Sequence, residues 1–410
     1  MQYKIEKKTH FKSQNDKSVS VVSIAYCSSN CDELIEVISL GELGRGYLWR
    51  CSKDNGQTWK IFEPKGIPQV REQLDGTKVV SYWQAGLFYD DDRKSLIAGW
   101  LKGVMDESVP AYMDSEGLKS RRMYYQISED GGLSWGALQE LIEGEYDTKN
   151  WPNGFGCFGG YVDFNQTLKL EEGTFIVPSH KMKLFPETGT ITDKEHGAWW
   201  VASTGLRCYR KNSHLDCEFG QWLTVDRSKS ARGLDEPTIV NLTDGRLLMI
   251  MRGGKPFDVD FPGVKFYSVS EDGGMSWSAP EVLTYEDGSL MYSPSSMVQV
   301  FRWKAAENGI YLVTNILDND EIIRGCDPRY PLQIARVNEE KLCVEKDSIT
   351  IIENRKPEQA PNIRFSNFCI LEDRQKGVLR LFMTACPGDV GKKPGDNVPL
   401  DSYEYVISFR

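Results

Sequence analysis

Residues 236–252 read EPTIVNLTDGRLLMIMR, and residues 270–277, after a loop and a further apolar run, read SEDGGMSW. Two apolar and β-branched runs, at 238–241 and 247–251, flank the dipeptide Asp244-Gly245, which is typical of a tight turn. Two short apolar runs around such a turn predict a β-hairpin with buried strands. We therefore build the fold outward from this hairpin.

The segment after the hairpin predicts the rest of a four-stranded unit. Residues 265–270 are predicted to form a third strand, the Gly-rich residues 272–274 a second turn, and Ser276-Trp277 the beginning of a fourth strand. In an antiparallel hairpin the start of the first strand lies beside the end of the second. We therefore expect Glu236 and Arg252 at one end of the unit and the Gly-rich turn at the other.

The same turn occurs three times, as SKDNGQTW at 52–59, SEDGGLSW at 128–135 and SEDGGMSW at 270–277. Its Asp and Ser can bind turn amides, its Gly accepts positive φ, and its Trp can pack between sheets. This turn chemistry accounts for the aspartates without a metal ion. The spacing predicts units of about 70 residues, about six in the chain, and hence a β-propeller.

The repeated turn resembles the Asp-box, or BNR repeat, of the sialidase (neuraminidase) superfamily, and the stretch that begins at Glu236 resembles the fourth blade of that family. The resemblance extends over nearly the whole chain. It implies an all-β, six-bladed β-propeller with four-stranded antiparallel blades, and a single domain over residues 1–410. The two chain ends, at 2–7 and 402–409, predict edge strands that join in one sheet and close the ring.

Composition narrows the classes of function. A net charge of −10 argues against nucleic acid or an anionic membrane as the main partner. A negatively charged substrate would then need a local basic pocket. The chain shows no apolar run of signal-peptide type at its start and no stretch of transmembrane length. We therefore expect a soluble protein, cytoplasmic as written, or secreted or periplasmic if a leader was removed.

The ten cysteines show no CxxC spacing, so a zinc cluster is not indicated. We expect no metal ion and no cofactor, and we expect most cysteines to lie reduced in the core. Cys208 and Cys217 are the first pair to examine for a disulfide.

The resemblance implies a group of arginines that bind the carboxylate of an acidic sugar. Arg252 matches the family's fourth blade, and Arg329 lies just before an apolar run at 332–337, where the family has its last such arginine. The family's first arginine motif and its acid/base aspartate are absent, and their nearest substitutes by position are Arg45 and Glu42. Paired guanidiniums can hold one carboxylate through charge-assisted hydrogen bonds.

The nucleophile departs from the family pattern. Sialidases place a tyrosine in a Tyr-Ser-Ser-Leu motif, where this chain has Phe365, and a phenyl ring cannot attack an anomeric carbon. Tyr292, in the context Tyr-Ser-Pro-Ser-Ser, is a candidate replacement, and packing at a strand entry is its alternative role. If Tyr292 is not the nucleophile, Glu236 with Glu42 or a carboxylate of the loop 102–121 could act as an acid/base pair, by inversion or elimination.

Further candidates for substrate binding come from position and residue type. Lys255 follows Arg252 in a Gly-rich turn, Gln84 lies at the inner entry of the second blade, and His180 begins a long loop of the third blade. Each has an ordinary structural alternative, as a surface, packing or hydrogen-bonding residue.

Together these features predict a sialidase-like exo-glycoside hydrolase that acts on a terminal acidic sugar of a glycan, by resemblance sialic acid or a related keto-deoxy or uronic acid. The alternatives are a non-catalytic carbohydrate-binding propeller, a glycosidase or lyase of different specificity, and a scaffold for protein contacts. The linkage of the sugar and the oligomeric state are left open.

Overall fold

The computed structural model describes residues 3–13, 17–41, 46–74, 78–106, 118–141, 161–182, 200–256, 259–387 and 399–409. The chain forms two compact units, which are Val19–Gly220 and the combination of Met1–Ser18 with Gln221–Arg410. The single domain predicted over the whole chain stays a prediction. Strand β1 (Tyr3–Phe11) opens the chain and belongs to the unit with the C-terminal half.

The unit of residues 19–220 consists of β-strands and one short 3₁₀ helix in its described parts. Its strands are β2 (Val19–Tyr26), β3 (Leu34–Leu40), β4 (Tyr47–Ser52), β5 (Lys60–Phe62), β6 (Arg71–Leu74), β7 (Lys78–Asp90), β8 (Ser95–Asp106), β9 (Leu118–Ser128), β10 (Gln139–Glu140), β11 (Tyr161–Val162), β12 (Leu168–Glu171), β13 (Thr174–Met182), β14 (Val201–Lys211) and β15 (His214–Phe219). The 3₁₀ helix is Phe164–Gln166.

These strands form three antiparallel sheets. Their strand orders are β2-β3-β4-β5, β10-β9-β8-β7-β6 and β11-β13-β14-β15, with β12 paired to β13. Apolar side chains fill the space between consecutive sheets, and the rings of Trp49 and Trp135 lie 6.0 Å apart in the first of these layers. The Trp of a repeated turn therefore packs between two sheets, as its sequence context predicts.

The unit that contains the C-terminal half is built in the same way. Its further strands are β16 (Asp235–Asn241), β17 (Leu247–Arg252), β18 (Lys265–Ser270), β19 (Glu281–Val282), β20 (Gln299–Trp303), β21 (Gly309–Asn315), β22 (Leu332–Asn338), β23 (Cys343–Val344), β24 (Thr350–Glu353), β25 (Ile363–Arg364), β26 (Cys369–Glu372), β27 (Leu379–Met383), β28 (Cys386–Pro387) and β29 (Ser402–Phe409). A 3₁₀ helix spans Lys346–Ser348.

Three larger antiparallel sheets again result, with the orders β16-β17-β18-β19, β20-β21-β22-β23 and β1-β29-β27-β26. Strand β24 pairs with β22, and β25 forms a small sheet with β28. Strands β1 and β29 run antiparallel from Tyr3 opposite Phe409 to Phe11 opposite Ser402, so the predicted pairing of the chain ends is confirmed. The predicted fold class, an all-β protein with six antiparallel propeller blades, is also confirmed.

The fourth strand of the organising unit lies later than predicted. It is Glu281–Val282 and does not begin at Ser276-Trp277. The Ser276 N–H donates to Asp272 Oδ1 at 2.9 Å, and Trp277 Nε1 donates to the Gly274 carbonyl oxygen at 3.0 Å. These bonds keep both residues in the turn, so the strand starts only after it.

The three repeated turns share one set of hydrogen bonds. In the first, Ser52 Oγ donates to Asp54 Oδ1 (2.7 Å), the Gly56 N–H donates to Ser52 Oγ (2.8 Å), and the Thr58 N–H donates to Asp54 Oδ1 (2.8 Å). The other two turns repeat these bonds. The bonds from Thr58 lower the pKa of Asp54 to about 2. The aspartate therefore acts as a turn-forming carboxylate.

The cysteines of the described residues form no disulfide. Two of them, Cys208 and Cys343, are buried, whereas most of the others are partly exposed, so the expectation that most lie in the core is wrong. Cys208 and Cys217 are directly opposite each other on β14 and β15, with their sulfurs 2.6 Å apart. In the described part of the chain, no helix is long and apolar enough to cross a membrane.

A buried ion cluster joins the two ends of the chain. Glu404 of β29 is 2% exposed, and its carboxylate lies 2.6 Å from Arg380 Nε, 3.1 Å from Lys8 Nζ and 3.5 Å from His10 Nδ1. Burial raises the pKa of Glu404, but the hydrogen bond from His10 and the charge of Arg380 outweigh burial and lower the pKa to about 2.

Acid should therefore weaken this cluster. Because the folded pKa of Glu404 lies below its ordinary value of 4.5, the carboxylate stabilises the fold by about 3 kcal/mol above that value, and this contribution is lost as the pH falls through about 2. We expect the difference in unfolding free energy between wild type and Glu404→Gln to shrink by about 2 kcal/mol between pH 5 and pH 3 in urea titrations. The exposed Glu340→Gln should show no such change, and an equal pH slope for all three proteins would contradict the role of Glu404.

Candidate functional site

The start of β16 places two adjacent carboxylates at one end of its sheet. Asp235 is opposite Arg252, but the next paired residue is Thr238, so the register shifts across Glu236 and Pro237. Pro237 cannot donate a ladder hydrogen bond, and Glu236 has a φ of +41°, which is rare for a residue with a side chain. Such a conformation costs roughly 1–3 kcal/mol and is typical of functional sites.

The guanidinium of Arg252 holds these carboxylates from the end of β17. It is 5% exposed, and its Nη1 lies 2.7 Å from Glu236 Oε1 and 3.9 Å from Asp235 Oδ2. Burial lowers the pKa of Arg252, but the charges of Glu236 and Asp235 outweigh burial and raise it. Arg252 is therefore a fixed positive charge.

The guanidinium of Arg329 is buried without such a partner. It is 8% exposed, and it donates to the carbonyl oxygens of Cys326 (3.1 Å) and Ser295 (3.1 Å) and to Ser366 Oγ (3.3 Å). Among the described residues no carboxylate pairs with it. Burial and the nearby charge of Arg252 lower the pKa of Arg329. Arg329 is therefore a desolvated cation that lacks a counter-ion of its own.

Ser295 brings the two guanidiniums together. Arg252 Nε donates to its Oγ at 3.0 Å, and Arg329 Nη2 donates to its carbonyl oxygen. Both guanidiniums therefore contact Ser295, and their joint binding of one carboxylate stays a prediction.

Lys265 supports the segment that carries Ser295. It is fully buried, is opposite Arg252 on the neighbouring strand, and donates from Nζ to the carbonyl oxygens of Pro294 (3.0 Å) and Ser296 (2.5 Å). Burial, together with the charge of Arg252, lowers the pKa of Lys265 well below its ordinary value. The lysine thus fixes the backbone on both sides of Ser295.

A third arginine and a cysteine extend the cluster that Arg252, Arg329 and their carboxylate and serine neighbours form. Arg232 Nη2 lies 3.4 Å from Asp235 Oδ2, and its Nη1 lies 3.9 Å from Cys326 Sγ. Arg252 Nη2 lies 3.7 Å from the same sulfur. Arg364 has its own counter-ion, since its Nε and Nη2 donate to the two carboxylate oxygens of Asp327 at 2.7 and 2.6 Å.

The other predicted site residues of this unit have different surroundings. Tyr292 is partly buried and forms backbone bridges with Val264 and Leu317, three residues before Ser295. Lys255 Nζ pairs with the carboxylate of Asp320 and donates to its carbonyl oxygen at 3.0 Å. Lys255 is therefore already engaged by a carboxylate of the protein.

The ring of Phe365 is 3% exposed and packs in the apolar core that includes Leu381 and Tyr405. Its N–H donates to the Arg329 carbonyl oxygen at 2.9 Å. The next residue, Ser366, reaches the Arg329 guanidinium. Phe365 thus contributes a ring to the core, and its neighbour Ser366 contributes a polar contact.

Gln84 and His180 lie in the unit of residues 19–220. Gln84 is 7% exposed, and its Nε2 donates to the Gly86 carbonyl oxygen at 2.8 Å. His180 is 6% exposed and lies on β13, opposite Tyr161 and Ser203. Both are buried side chains within their own unit. The predicted Glu42 and Arg45, and most of the loop 102–121, lie outside the described residues.

Sequence reasoning missed several members of the cluster, namely Arg232, Asp235, Ser295, Cys326, Arg364 and Ser366. Asp235 could have been found from its adjacency to Glu236, since both precede a proline at a strand entry. Ser295 lies in the Tyr-Ser-Pro-Ser-Ser segment that had been noted only for its tyrosine. A single cysteine and a single arginine in separate loops carry no sequence signal.

This arrangement is suited to binding an anion and to transferring a proton beside it. Arg329 offers a buried positive charge, and Glu236 offers Oε2, a buried oxygen that has no hydrogen-bond partner among the described residues. No group of three or more His, Cys, Asp or Glu side chains in the described ranges is arranged to hold a metal ion.

Several solved glycosidases resemble this structure. The NanB sialidase from Streptococcus pneumoniae, solved with 2-[(3-chlorobenzyl)ammonio]ethanesulfonate, is 12% identical and has a TM-score of 0.58. The matched region covers 97% of this chain and 69% of the NanB chain. The intramolecular trans-sialidase from Ruminococcus gnavus, solved with oseltamivir carboxylate, is 12% identical, with 97% and 95% covered and a TM-score of 0.56. An α-L-arabinofuranosidase from Fusarium graminearum, solved with an iminosugar inhibitor, is 12% identical, with 98% and 97% covered and a TM-score of 0.53.

At such identities the likeness shows the fold alone, which is that of a β-propeller. No curated protein sequence matches the chain significantly. The family model described as a BNR repeat-like domain matches residues 107–356, more than half of the chain. This protein therefore belongs to the BNR repeat-like domain family.

Proposed function

We propose that this protein is an exo-acting glycoside hydrolase that removes a terminal acidic sugar, sialic acid or a related keto-deoxy or uronic acid, from a glycan. The observation that carries this proposal is the buried guanidinium of Arg329, which has no carboxylate partner among the described residues and shares Ser295 with Arg252. The glycosidases of the same fold support the reaction class.

The carboxylate of the sugar would supply the missing counter-ion. A buried guanidinium forms stronger charge-assisted bonds than an exposed one, because water does not compete for its donors. Arg329 contributes the uncompensated charge and Arg252 the second guanidinium, and Ser366 can add a hydroxyl.

Glu236 is our candidate for general acid/base catalysis. Its Oε1 is held by Arg252, its Oε2 has no hydrogen-bond partner in the described ranges, and its side chain is 36% exposed. A carboxylate oriented in this way can exchange a proton with a substrate oxygen or assist a phenol. Tyr292 is the candidate phenol, because it lies two residues before Pro294, whose carbonyl oxygen Lys265 holds. If Tyr292 is not the nucleophile, Glu236 would act with a second carboxylate.

The test is a panel of fluorogenic glycosides with the wild-type protein: an α-sialoside, a keto-deoxy acid glycoside, a β-glucuronide and, as the neutral control, an α-L-arabinofuranoside. We expect turnover of at least one acidic glycoside and none of the neutral one, since only an acidic sugar satisfies Arg329. Faster turnover of the arabinofuranoside would contradict the carboxylate clamp.

Tyr292→Phe then separates the mechanisms. Loss of turnover with retained binding would identify the phenol as nucleophile, and full turnover would assign the chemistry to carboxylates alone. Binding of an acidic sugar without any turnover would favour the non-catalytic, carbohydrate-binding alternative, for which the phenylalanine at position 365 is the supporting feature.

A further inference from the structure

The loop before β22 places a sulfur atom inside the arginine cluster. Arg252 Nη2 and Arg232 Nη1 lie 3.7 and 3.9 Å from Cys326 Sγ, and Arg329 Nε donates to the carbonyl oxygen of the same cysteine. Cys326 is partly exposed. The sulfur thus belongs to a partly exposed residue and lies beside two guanidiniums.

Several charged side chains surround this sulfur in the described part of the unit. Three guanidiniums, of Arg232, Arg252 and Arg329, face the two carboxylates of Asp235 and Glu236. Arg364 and Asp327 form an ion pair and neutralise each other. Lys265 adds a further positive charge when it is protonated. An ionised sulfur at Cys326 would lie among these guanidiniums, which would stabilise its negative charge.

The acidity of the thiol agrees with this geometry. Burial raises the pKa of Cys326, but the charges of Arg252, Arg232 and Arg329 outweigh burial and lower the pKa to about 7. At Cys386 burial outweighs the charges of Arg329 and Arg364, so the pKa of this thiol is raised. Proximity to arginine alone is thus not sufficient, and the threefold contact distinguishes Cys326.

We propose that Cys326 is a modification site, a nucleophilic thiolate that reacts with peroxides and alkylating electrophiles inside the arginine cluster. The thiolate, not the thiol, is the reactive species, and neighbouring cations stabilise it. With hydrogen peroxide, the thiolate sulfur attacks one oxygen, the S–O bond forms as the O–O bond breaks, and hydroxide leaves. The sulfur is oxidised by two electrons to a sulfenic acid, and the peroxide is reduced.

The first test measures alkylation of the native, full chain by iodoacetamide, which forms an S–C bond and releases iodide. Rates for each cysteine are read by mass spectrometry of peptides, with the exposed Cys31 as an internal reference. We expect the rate at Cys326 to be half-maximal near pH 7, and Cys386 to remain unmodified. A Cys326 that stays unmodified, or whose rate rises only with that of an ordinary thiol at about pH 8.5, would overturn the proposal.

The second test changes the cations. Arg232→Gln should move the midpoint at Cys326 upward, whereas Arg246→Gln, which removes a guanidinium from the far end of the β16-β17 hairpin, should not. Equal shifts in both variants would mean that total charge, and not the cluster, controls the thiol. After peroxide treatment, a sulfenic-acid probe such as dimedone should label Cys326 and not Cys31, and labelling of Cys31 alone would also refute the proposal.

Discussion

Replacing Arg329 by Met should weaken binding of free sialic acid, or of whichever acidic sugar the substrate panel identifies, by roughly 100-fold or more, because a desolvated, charge-assisted pair contributes several kcal/mol. The same change should leave the free energy of unfolding without ligand unchanged or slightly higher, since it removes a buried charge that no described carboxylate compensates. Isothermal titration calorimetry measures the affinity, and urea titration measures the stability.

Arg252→Met is the matched control, since Arg252 is equally buried but holds Glu236 and Asp235. Its removal leaves two carboxylates without their guanidinium and should lower the free energy of unfolding by about 3 kcal/mol, in addition to weakening binding. If both variants lost the same stability, Arg329 would be a structural residue. If Arg329→Met kept its affinity for the sugar, the carboxylate clamp would be refuted.

Glu236→Gln should lower kcat by roughly 10²–10⁴-fold while KM changes only a few-fold, because the amide keeps the shape of the side chain but cannot exchange a proton. The measurement is steady-state kinetics on the best substrate of the panel. The exposed Glu340→Gln is the control and should keep full activity.

The backbone at Glu236 provides a check on this variant. Gln and Glu are equally unsuited to a positive φ, so thermal unfolding of Glu236→Gln should stay close to that of the wild type after allowance for the lost Arg252 pair. A variant that folds normally and retains wild-type kcat would exclude Glu236 from catalysis.

Local patterns were sufficient to predict the architecture. The hairpin around Asp244-Gly245 and the third strand at 265–270 follow from apolar runs between turn residues. The pairing of the chain ends follows from the closure of a propeller ring. The error at Ser276-Trp277 has a local cause as well. Side-chain and backbone hydrogen bonds within the turn extend it beyond its glycines, and an apolar Trp gives the appearance of a strand start.

The candidate site could be predicted only in part. Glu236 and Arg252 follow from one hairpin, since the ends of its two strands must be neighbours. Arg329 came from resemblance, and the contacts that join it to Arg252 come from Ser295, which lies on a different segment. Phe365 shows that position in the sequence does not determine which side chain reaches the site. Its ring lies in the core, and the next residue, Ser366, contacts the Arg329 guanidinium.

The sequence by itself determined the β-sheets, their turns and the Glu236–Arg252 end of the organising hairpin, because strands and tight turns depend on residues close together in the chain. Only the tertiary structure decided that Arg232, Arg252 and Arg329 gather around Cys326, and that Arg329 has no carboxylate of its own among the described residues. The charge and burial of a side chain depend on which loops contact each other in the folded protein. The spacing of residues along the chain does not determine those contacts.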